Sequence, residues 1–299
     1  MLTPALQKTL KKQTLLLVCV EMRNQQWIKK NIELFNKEKI PVILLKGAAF
    51  SGTIYPSNTP RVGVDIDLLV TGDNFKATCK QLCKSMNPVL LSSERVATHD
   101  SLFERVFTPK NDLGPTVEIH RGLTNPSIFN IDEQKLWAAS KKHPAYNSKL
   151  IRILSPEDTL LHLAVHAFRD LDFCTHNVLD AHEIWCQWKP DPKKLIVNAK
   201  HWGARKALYY LLTNSKAIMR TPIPDTLLKS IQPAYLTDRL NIKILQSKTV
   251  EKKKDNSWRY RLIQLLGQVT FPDSAIRGIK FQIHYVQTRL IDWIIAQKK

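Results

Sequence analysis

Two aspartates stand two residues apart inside an apolar run, Val64-Asp65-Ile66-Asp67-Leu68-Leu69-Val70. Read as a strand, the run puts Asp65 and Asp67 on one face and Val64 and Ile66 on the other, with the two acidic Cβ atoms about 6–7 Å apart. That face of an aliphatic strand would ordinarily carry Val or Ile. Two carboxylates there repel each other and resist desolvation. A divalent cation answers both problems. Mg²⁺ is the natural choice, because it takes carboxylate oxygens and keeps coordination positions open for phosphates. The competing reading is a pair of solvent-facing aspartates on a half-exposed strand.

A second short run, Thr116-Val117-Glu118-Ile119-His120, carries another carboxylate between β-branched neighbours. If it pairs beside the first, Glu118 joins the aspartates. Three carboxylates on adjacent strands can hold two Mg²⁺ ions for phosphoryl transfer, one lowering the pKa of an attacking hydroxyl and the other stabilising the leaving pyrophosphate. Upstream, Val42-Ile43-Leu44-Leu45 reads as a buried strand that runs into Lys46-Gly47 and a short helix over Ala48 to Tyr55. A glycine at such a turn lets backbone approach a phosphate, the helix N-terminus offers free N–H groups, and Lys46 adds a point charge. Arg61, four residues before Asp65, is placed to clamp a triphosphate or to serve as an ordinary loop cation.

Together these residues resemble the nucleotidyltransferase superfamily whose best-known member is DNA polymerase beta. More narrowly they resemble a group of uncharacterised nucleotidyltransferases. The residues that carry the likeness are Ile43-Leu44-Leu45-Lys46-Gly47-Ala48-Ala49, Tyr55-Pro56, Arg61, Asp65-Ile66-Asp67-Leu68-Leu69-Val70 and Val117-Glu118-Ile119-His120, with Ser155-Pro156-Glu157-Asp158 through His166 to Asp180. The resemblance implies that Asp65, Asp67 and Glu118 are catalytic and bind the metals, and that Lys46, Gly47, Ala48 and Arg61 bind the nucleotide. It implies Mg²⁺ as cofactor, an NTP as substrate and pyrophosphate as a product. One departure stands out. The superfamily usually places Gly-Ser or Gly-Gly at the turn, whereas Ala48 follows Gly47 here, so Lys46 takes the place of the hydroxyl. The alternative from another class is a catalytically silent protein of the same fold that binds RNA or a protein partner.

The pattern along the chain predicts an α+β protein: a small mixed sheet flanked by helices, then an all-helical region. Three segments are expected: an N-terminal helical segment over 1–40, a catalytic core over 41–145 and a basic helical domain over 146–299. Helical periodicity covers 3–38, and Asp73 or Asn74 would cap a helix running to about Met86. Leu102 to Phe107 reads as a strand. Ser155-Pro156-Glu157-Asp158 starts a helix, with Ser as N-cap, Pro at the first position and acids in the first turn. Further helices are expected over 177–188, 192–219, 225–231, 236–248, 257–268 and 273–297. In the last of these, Ile279, Ile283, Val286, Leu290, Trp293 and Ile294 form a stripe that is expected to pack on a core; the rival is a membrane surface.

The chain of 299 residues is 43% hydrophobic with a formal net charge of +19, and from Lys189 onward it holds 22 Lys and Arg against 7 Asp and Glu. That regional excess, with Lys252, Lys253, Lys254, Arg259 and Arg261 in it, points to a polyanion such as RNA, a tRNA-like end in particular, as the acceptor; a protein or small-molecule hydroxyl is the alternative acceptor, and a solvated basic helical surface is the plain reading of the charge. No apolar run of transmembrane length and no secretory leader is visible, so a cytoplasmic location is expected. Five irregularly placed cysteines make a poor disulfide framework. Cys79 and Cys83 are expected to be buried thiols of one helix face. His162 and His166, with Asp170, His176, Asp180 and His182, invite a metal-site reading. Leu163 stands where a metalloprotease needs Glu, and the only His-Asp dipeptide, His99-Asp100, lies outside the cluster. Packed polar residues are the expectation there.

Overall fold

The structure is a computed structural model and describes residues 3–55, 61, 63–89, 104–111, 114–124, 127–170, 175–251, 258–283 and 286–287. It divides into two compact units: Met1–Leu123 with Ala139–Leu154, and Thr124–Ala138 with Ser155–Lys299.

The first unit is built on helix α1 (Pro4–Lys37), strand β1 (Val42–Leu44), helix α2 (Lys46–Phe50), strand β2 (Asp65–Val70), helix α3 (Gly72–Leu82) and strands β3 (Met86–Pro88), β4 (Glu104–Pro109) and β5 (Thr116–His120). After helix α4 (Glu133–Ala139) the chain adds β6 (Lys141–Lys142) and β7 (Ile151–Ile153). The seven strands form one sheet in the order β3-β4-β5-β2-β1-β7-β6. β2 pairs in parallel with β5, and β1 with β7; the remaining pairings are antiparallel. β1 is apolar at every position because it lies inside the sheet with both faces covered, and none of its residues is more than 1% exposed.

α1 buries only a narrow line of residues, Glu21, Asn24, Ile28 and Phe35, at the three- and four-residue spacing of one helix face. The amide of Asn24 donates to the Gly63 carbonyl at 2.9 Å. Gln25 donates to Glu21 and to Ser51, each at 2.9 Å, and the Ser51 hydroxyl donates to the same Glu21 carboxylate. α1 therefore braces both ends of the segment between α2 and β2.

Several elements differ from the sequence expectation. α3 is capped by Thr71, to whose hydroxyl the Asn74 amide donates, and it stops at Leu82 rather than near Met86. Pro88 disfavours helical backbone at Asn87, so Met86–Pro88 becomes a strand paired with β4 instead. The short helix after β1 occupies Lys46–Phe50 rather than Ala48 to Tyr55. β4 runs from Glu104 to Pro109; Leu102 and the His99-Asp100 dipeptide lie outside the described residues. Cys79 is buried but Cys83 is exposed.

The second unit is helical: α5 (Pro156–Asp170), α6 (Thr175–Glu183) continued by a π-helical turn over Ile184–Trp188, α7 (Pro192–Trp202), α8 (Arg205–Met219), α9 (Asp225–Ile231), α10 (Tyr235–Glu251) and α11 (Trp258–Thr270). Ser155 caps α5 by accepting the Asp158 N–H at 3.1 Å, as its position before Pro156 predicts. The helix expected over 192–219 is two helices. Gly203 takes a left-handed φ of 73°, and the Ala204 N–H closes back on the Ala199 carbonyl, the usual way a glycine ends a helix. An aromatic chain forms the core: Phe129 meets Phe168 edge-on at 5.4 Å, and Phe271 stacks obliquely on Phe168 and Tyr210 at 5.8 and 5.1 Å. The described part of the apolar stripe near the end does not pack inward: Ile279, Ile283 and Val286 are about half exposed. Leu290, Trp293 and Ile294 lie outside the described residues, as do Lys252, Lys253 and Lys254. Among the described residues no helix is long and apolar enough to cross a membrane.

His143, fully buried in the first unit, accepts the Ala145 N–H at Nδ1 at 3.2 Å. Burial pushes its pKa down to about 4. Between that value and the ordinary 6.5 the unfolded chain binds a proton here that the folded chain does not, so stability is complete above pH 6.5 and declines as pH falls. From pH 7 to pH 5 this residue accounts for a loss of about 2 kcal/mol. In His143→Asn, which keeps the acceptor for Ala145 but cannot titrate, the difference between urea midpoints at the two pH values shrinks accordingly. An unchanged difference would remove His143 as its source.

Candidate active site

The parallel register of β2 and β5 places Asp65 opposite Thr116, Asp67 opposite Glu118 and Leu69 opposite His120. Alternation then gathers Asp65, Asp67, Glu118 and His120 on one sheet face, while Ile66, Leu68, Val117 and Ile119 fill the other and are fully buried. β4 contributes Glu104 to the acidic face, opposite His120. Val64 is not part of this strand; it is 83% exposed.

Asp67 is the buried centre, 2% exposed. Its Oδ1 accepts from Lys46 Nζ at 2.7 Å and from His120 Nε2 at 3.0 Å. Burial opposes ionisation, but the hydrogen bond from His120 and the charge and hydrogen bond of Lys46 outweigh it and hold the Asp67 carboxyl well below the usual carboxylate range. His120 responds in the opposite sense. Burial alone would discharge it, yet its hydrogen bonds to Asp67 and Glu118, with the charges of Asp67 and Glu104, raise it to about 9. Its Nε2 lies 3.6 Å from Glu118 Oε2 and its Nδ1 lies 3.5 Å from Glu104 Oε2. The imidazolium thus sits among three carboxylates, each within reach of a ring nitrogen.

Asp65 behaves differently from its neighbour. Burial, then repulsion from Asp67 and Glu118, lifts its carboxyl above the usual range against the weaker pull of Lys46. The two aspartates share a face but not an environment. The sequence suggests that removing either one relieves repulsion. That holds for Asp65; at Asp67 the attraction of Lys46 and His120 is the larger effect.

Lys46 reaches Asp67 from an uncommon backbone. Its φ is 48°, a left-handed conformation that costs a residue with a Cβ on the order of 1 kcal/mol or more. The Leu45 N–H donates to the Asp67 carbonyl at 3.0 Å, which fixes the start of the turn. Gly47 then packs against a second glycine: a Cβ on Gly47 would lie 3.1 Å from both Cα and N of Gly63 and 3.8 Å from the Arg61 carbonyl. A Cβ on Gly63 would come within 2.9 Å of the Asp65 carbonyl. Two bare backbones are required here, and Arg61 is brought beside Gly47 through its main chain. Ala48 is half-buried on the same short helix.

Asp67, Glu118 and His120 bring their ligand atoms within 4.8 Å of one another, the one group of three such residues found among those described. The helical histidines form no such group there: His162 and His166 stack edge-on at 6.3 Å, and His182 pairs with the Thr221 hydroxyl at 2.9 Å. His120 is the site residue that the spacing argument passes over. Glu118-x-His120 repeats the alternation of Asp65-x-Asp67, and the same reasoning applied to β5 would have found it.

The clustered donors are two carboxylates and an imidazole, a set that could hold a metal ion; Asp65 lies on the same face but outside that group, its carboxyl lifted by burial and then by the negative charge of Asp67 and Glu118, the part of the shift that a cation relieves. The histidine is the less usual member for Mg²⁺. The model of a family described as "Uncharacterised nucleotidyltransferase" matches residues 2–220, which covers the whole described sheet and the helices through α8. No curated protein matches the chain significantly. The acidic face of β2 and β5 and the Lys46-Gly47 turn lie within the matched span, and the chain belongs to this family of uncharacterised nucleotidyltransferases.

Proposed function

We propose that the protein transfers a nucleotidyl group from an NTP to a hydroxyl acceptor with release of pyrophosphate, using two Mg²⁺ ions held by Asp65, Asp67 and Glu118. The observation that carries this reading is the parallel register that sets Glu118 beside Asp67, one alternation from Asp65. In the reaction the acceptor oxygen bonds to the α-phosphorus, the bond from that phosphorus to the bridging oxygen breaks, and the hydroxyl proton passes to one of the carboxylates. The chemistry supplied by bound Mg²⁺ is activation of the hydroxyl and charge neutralisation at the departing pyrophosphate. The chain's own residues position these parts. His120 holds Asp67 and orients Glu118; Lys46 offers its ammonium, and with Gly47, Ala48 and Arg61 it forms the nucleotide-binding turn.

A second reading has an observation of its own. Lys46 and His120 already neutralise Asp67, the arrangement expected if the site holds itself together without a metal and the protein is a silent binder of this fold. Incubating the protein with each α-labelled NTP, with and without Mg²⁺, and with total RNA, total protein or small hydroxyl compounds separates the two. Label retained only with Mg²⁺ supports the enzyme and names nucleotide and acceptor class; label in no fraction with any NTP sinks it.

Asp65→Asn and Asp67→Asn should both lower transfer about a thousandfold or more, several kcal/mol of transition-state stabilisation. They should part in stability. Asp65→Asn holds or gains, whereas Asp67→Asn strands the buried His120 and the half-buried Lys46 and loses about 3 kcal/mol. Urea midpoints and turnover on the same preparations check both; equal stability would contradict the roles assigned to Lys46 and His120.

Glu118→Gln keeps shape but loses charge, so turnover should fall about a hundredfold while the Kd for NTP changes little. Normal turnover would return Glu118 to the sheet surface.

For the acceptor we propose RNA, on the charge excess beyond Lys189. RNA affinity should fall steeply with salt, and reversing Lys193, Lys200 and Lys229 should flatten the slope by about one per lost phosphate contact. A filter-binding titration at two salt concentrations measures it; no RNA retained even at low salt would direct the search to protein or small-molecule hydroxyls.

A further inference from the structure

On the opposite side of the sheet from the carboxylates lies a cavity of about 480 Å³, lined by Phe75, Lys76, Cys79, Lys80 and Cys83 of α3 and its C-terminal turn and by Arg105 of β4. The register settles the side. Arg105 pairs with Ile119 and Phe107 with Val117, and these pair with Leu68 and Ile66, so Arg105 points away from the face that carries Glu104, Glu118 and Asp67. The cavity therefore belongs to a different layer from the candidate active site.

Its chemistry is lopsided. Phe75 and Cys79, 2% and 4% exposed, make an apolar floor. Three cationic side chains stand around it, and no acidic residue is among the described lining residues. A space of this volume matches a small molecule rather than a solvent gap, and an apolar floor under convergent cations matches one with an apolar body and an acidic head.

We propose that this cavity is a binding site for an amphipathic anion, one acidic group carried on an apolar or aromatic body, with Phe75 and Cys79 taking the body and Lys76, Lys80 and Arg105 the head. Two sources share that chemistry: an acyl carboxylate and a nucleoside monophosphate. The inference does not depend on the proposed nucleotidyl transfer.

Cys83, exposed at the rim, reports on occupancy, and Cys19, exposed on α1, serves as the control. The full chain is treated with N-ethylmaleimide in the presence of decanoate, AMP or inorganic phosphate, and the modification of each cysteine is followed by peptide mass spectrometry. Decanoate or AMP should slow alkylation of Cys83 about tenfold at saturation without affecting Cys19, and whichever protects names the body. Arg105→Gln and Lys80→Gln should each raise the half-protecting concentration about tenfold, equivalent to ~1.4 kcal/mol; Lys80 is exposed on its helix, so that variant remains informative if Arg105→Gln folds poorly. Failure of both organic anions to protect Cys83 overturns the proposal. So does protection whose midpoint is unmoved in Lys80→Gln, and so does inorganic phosphate protecting as well as they do.

Discussion

The candidate active site is arranged around one buried charge. Ionised Asp67 at 2% exposure would cost several kcal/mol if left alone. It is tolerated because Lys46 and His120 both donate to the same oxygen. Neither partner comes cheaply. His120 must itself be buried in charged form, which Glu118 and Glu104 make possible. Lys46 must adopt a backbone that residues with a Cβ avoid. The ion pair and the strained turn are thus two sides of one arrangement, and strain of this kind is commonly found where a site must be held in a set geometry.

The packing around that centre explains features that look unrelated in the chain. Gly47 and Gly63 meet through bare backbone, and the Gly63 carbonyl is anchored by Asn24 of α1. A long N-terminal helix, exposed over most of its first half, therefore contributes to the site from Glu21 onward. The sheet supplies the other constraint. With Ile66, Leu68, Val117 and Ile119 fully buried on one face, a slip of one residue between β2 and β5 would bury the acids instead. The hydrophobic core enforces the alignment of the carboxylates.

How much of this can be read from the chain depends on the length of the pattern. Asp65 and Asp67 are conspicuous because two charges interrupt a seven-residue aliphatic run, and period-two alternation needs no partner to be seen. Glu118 is legible only conditionally, since its place depends on which strand lies beside β5. His120 is hidden by its ability to belong to a core or to a site; only Asp67 beside it decides. β3, β6 and β7 have three residues or fewer and carry no period at all. The helix break at Gly203 and the early end of α3 are set by single-residue backbone preferences that a smooth periodicity overrides. The exposed stripe at Ile279, Ile283 and Val286 shows the converse limit: an apolar face predicts that something covers it, not that the chain itself does.

The contacts to Asp67 join parts of the chain that are far apart, 21 residues to Lys46 and 53 to His120. Strand pairing over such distances is slow relative to local helix formation. α1 and α3 can form from their own sequences, but the ion cluster exists only after β1, β2 and β5 have met. In a chain that has acquired its helices and not its central sheet, water screens the two aspartates from each other; Asp67 gains its cationic partners only when β1 and β5 have joined β2, so the cluster acts as a checkpoint on the assembly of the sheet.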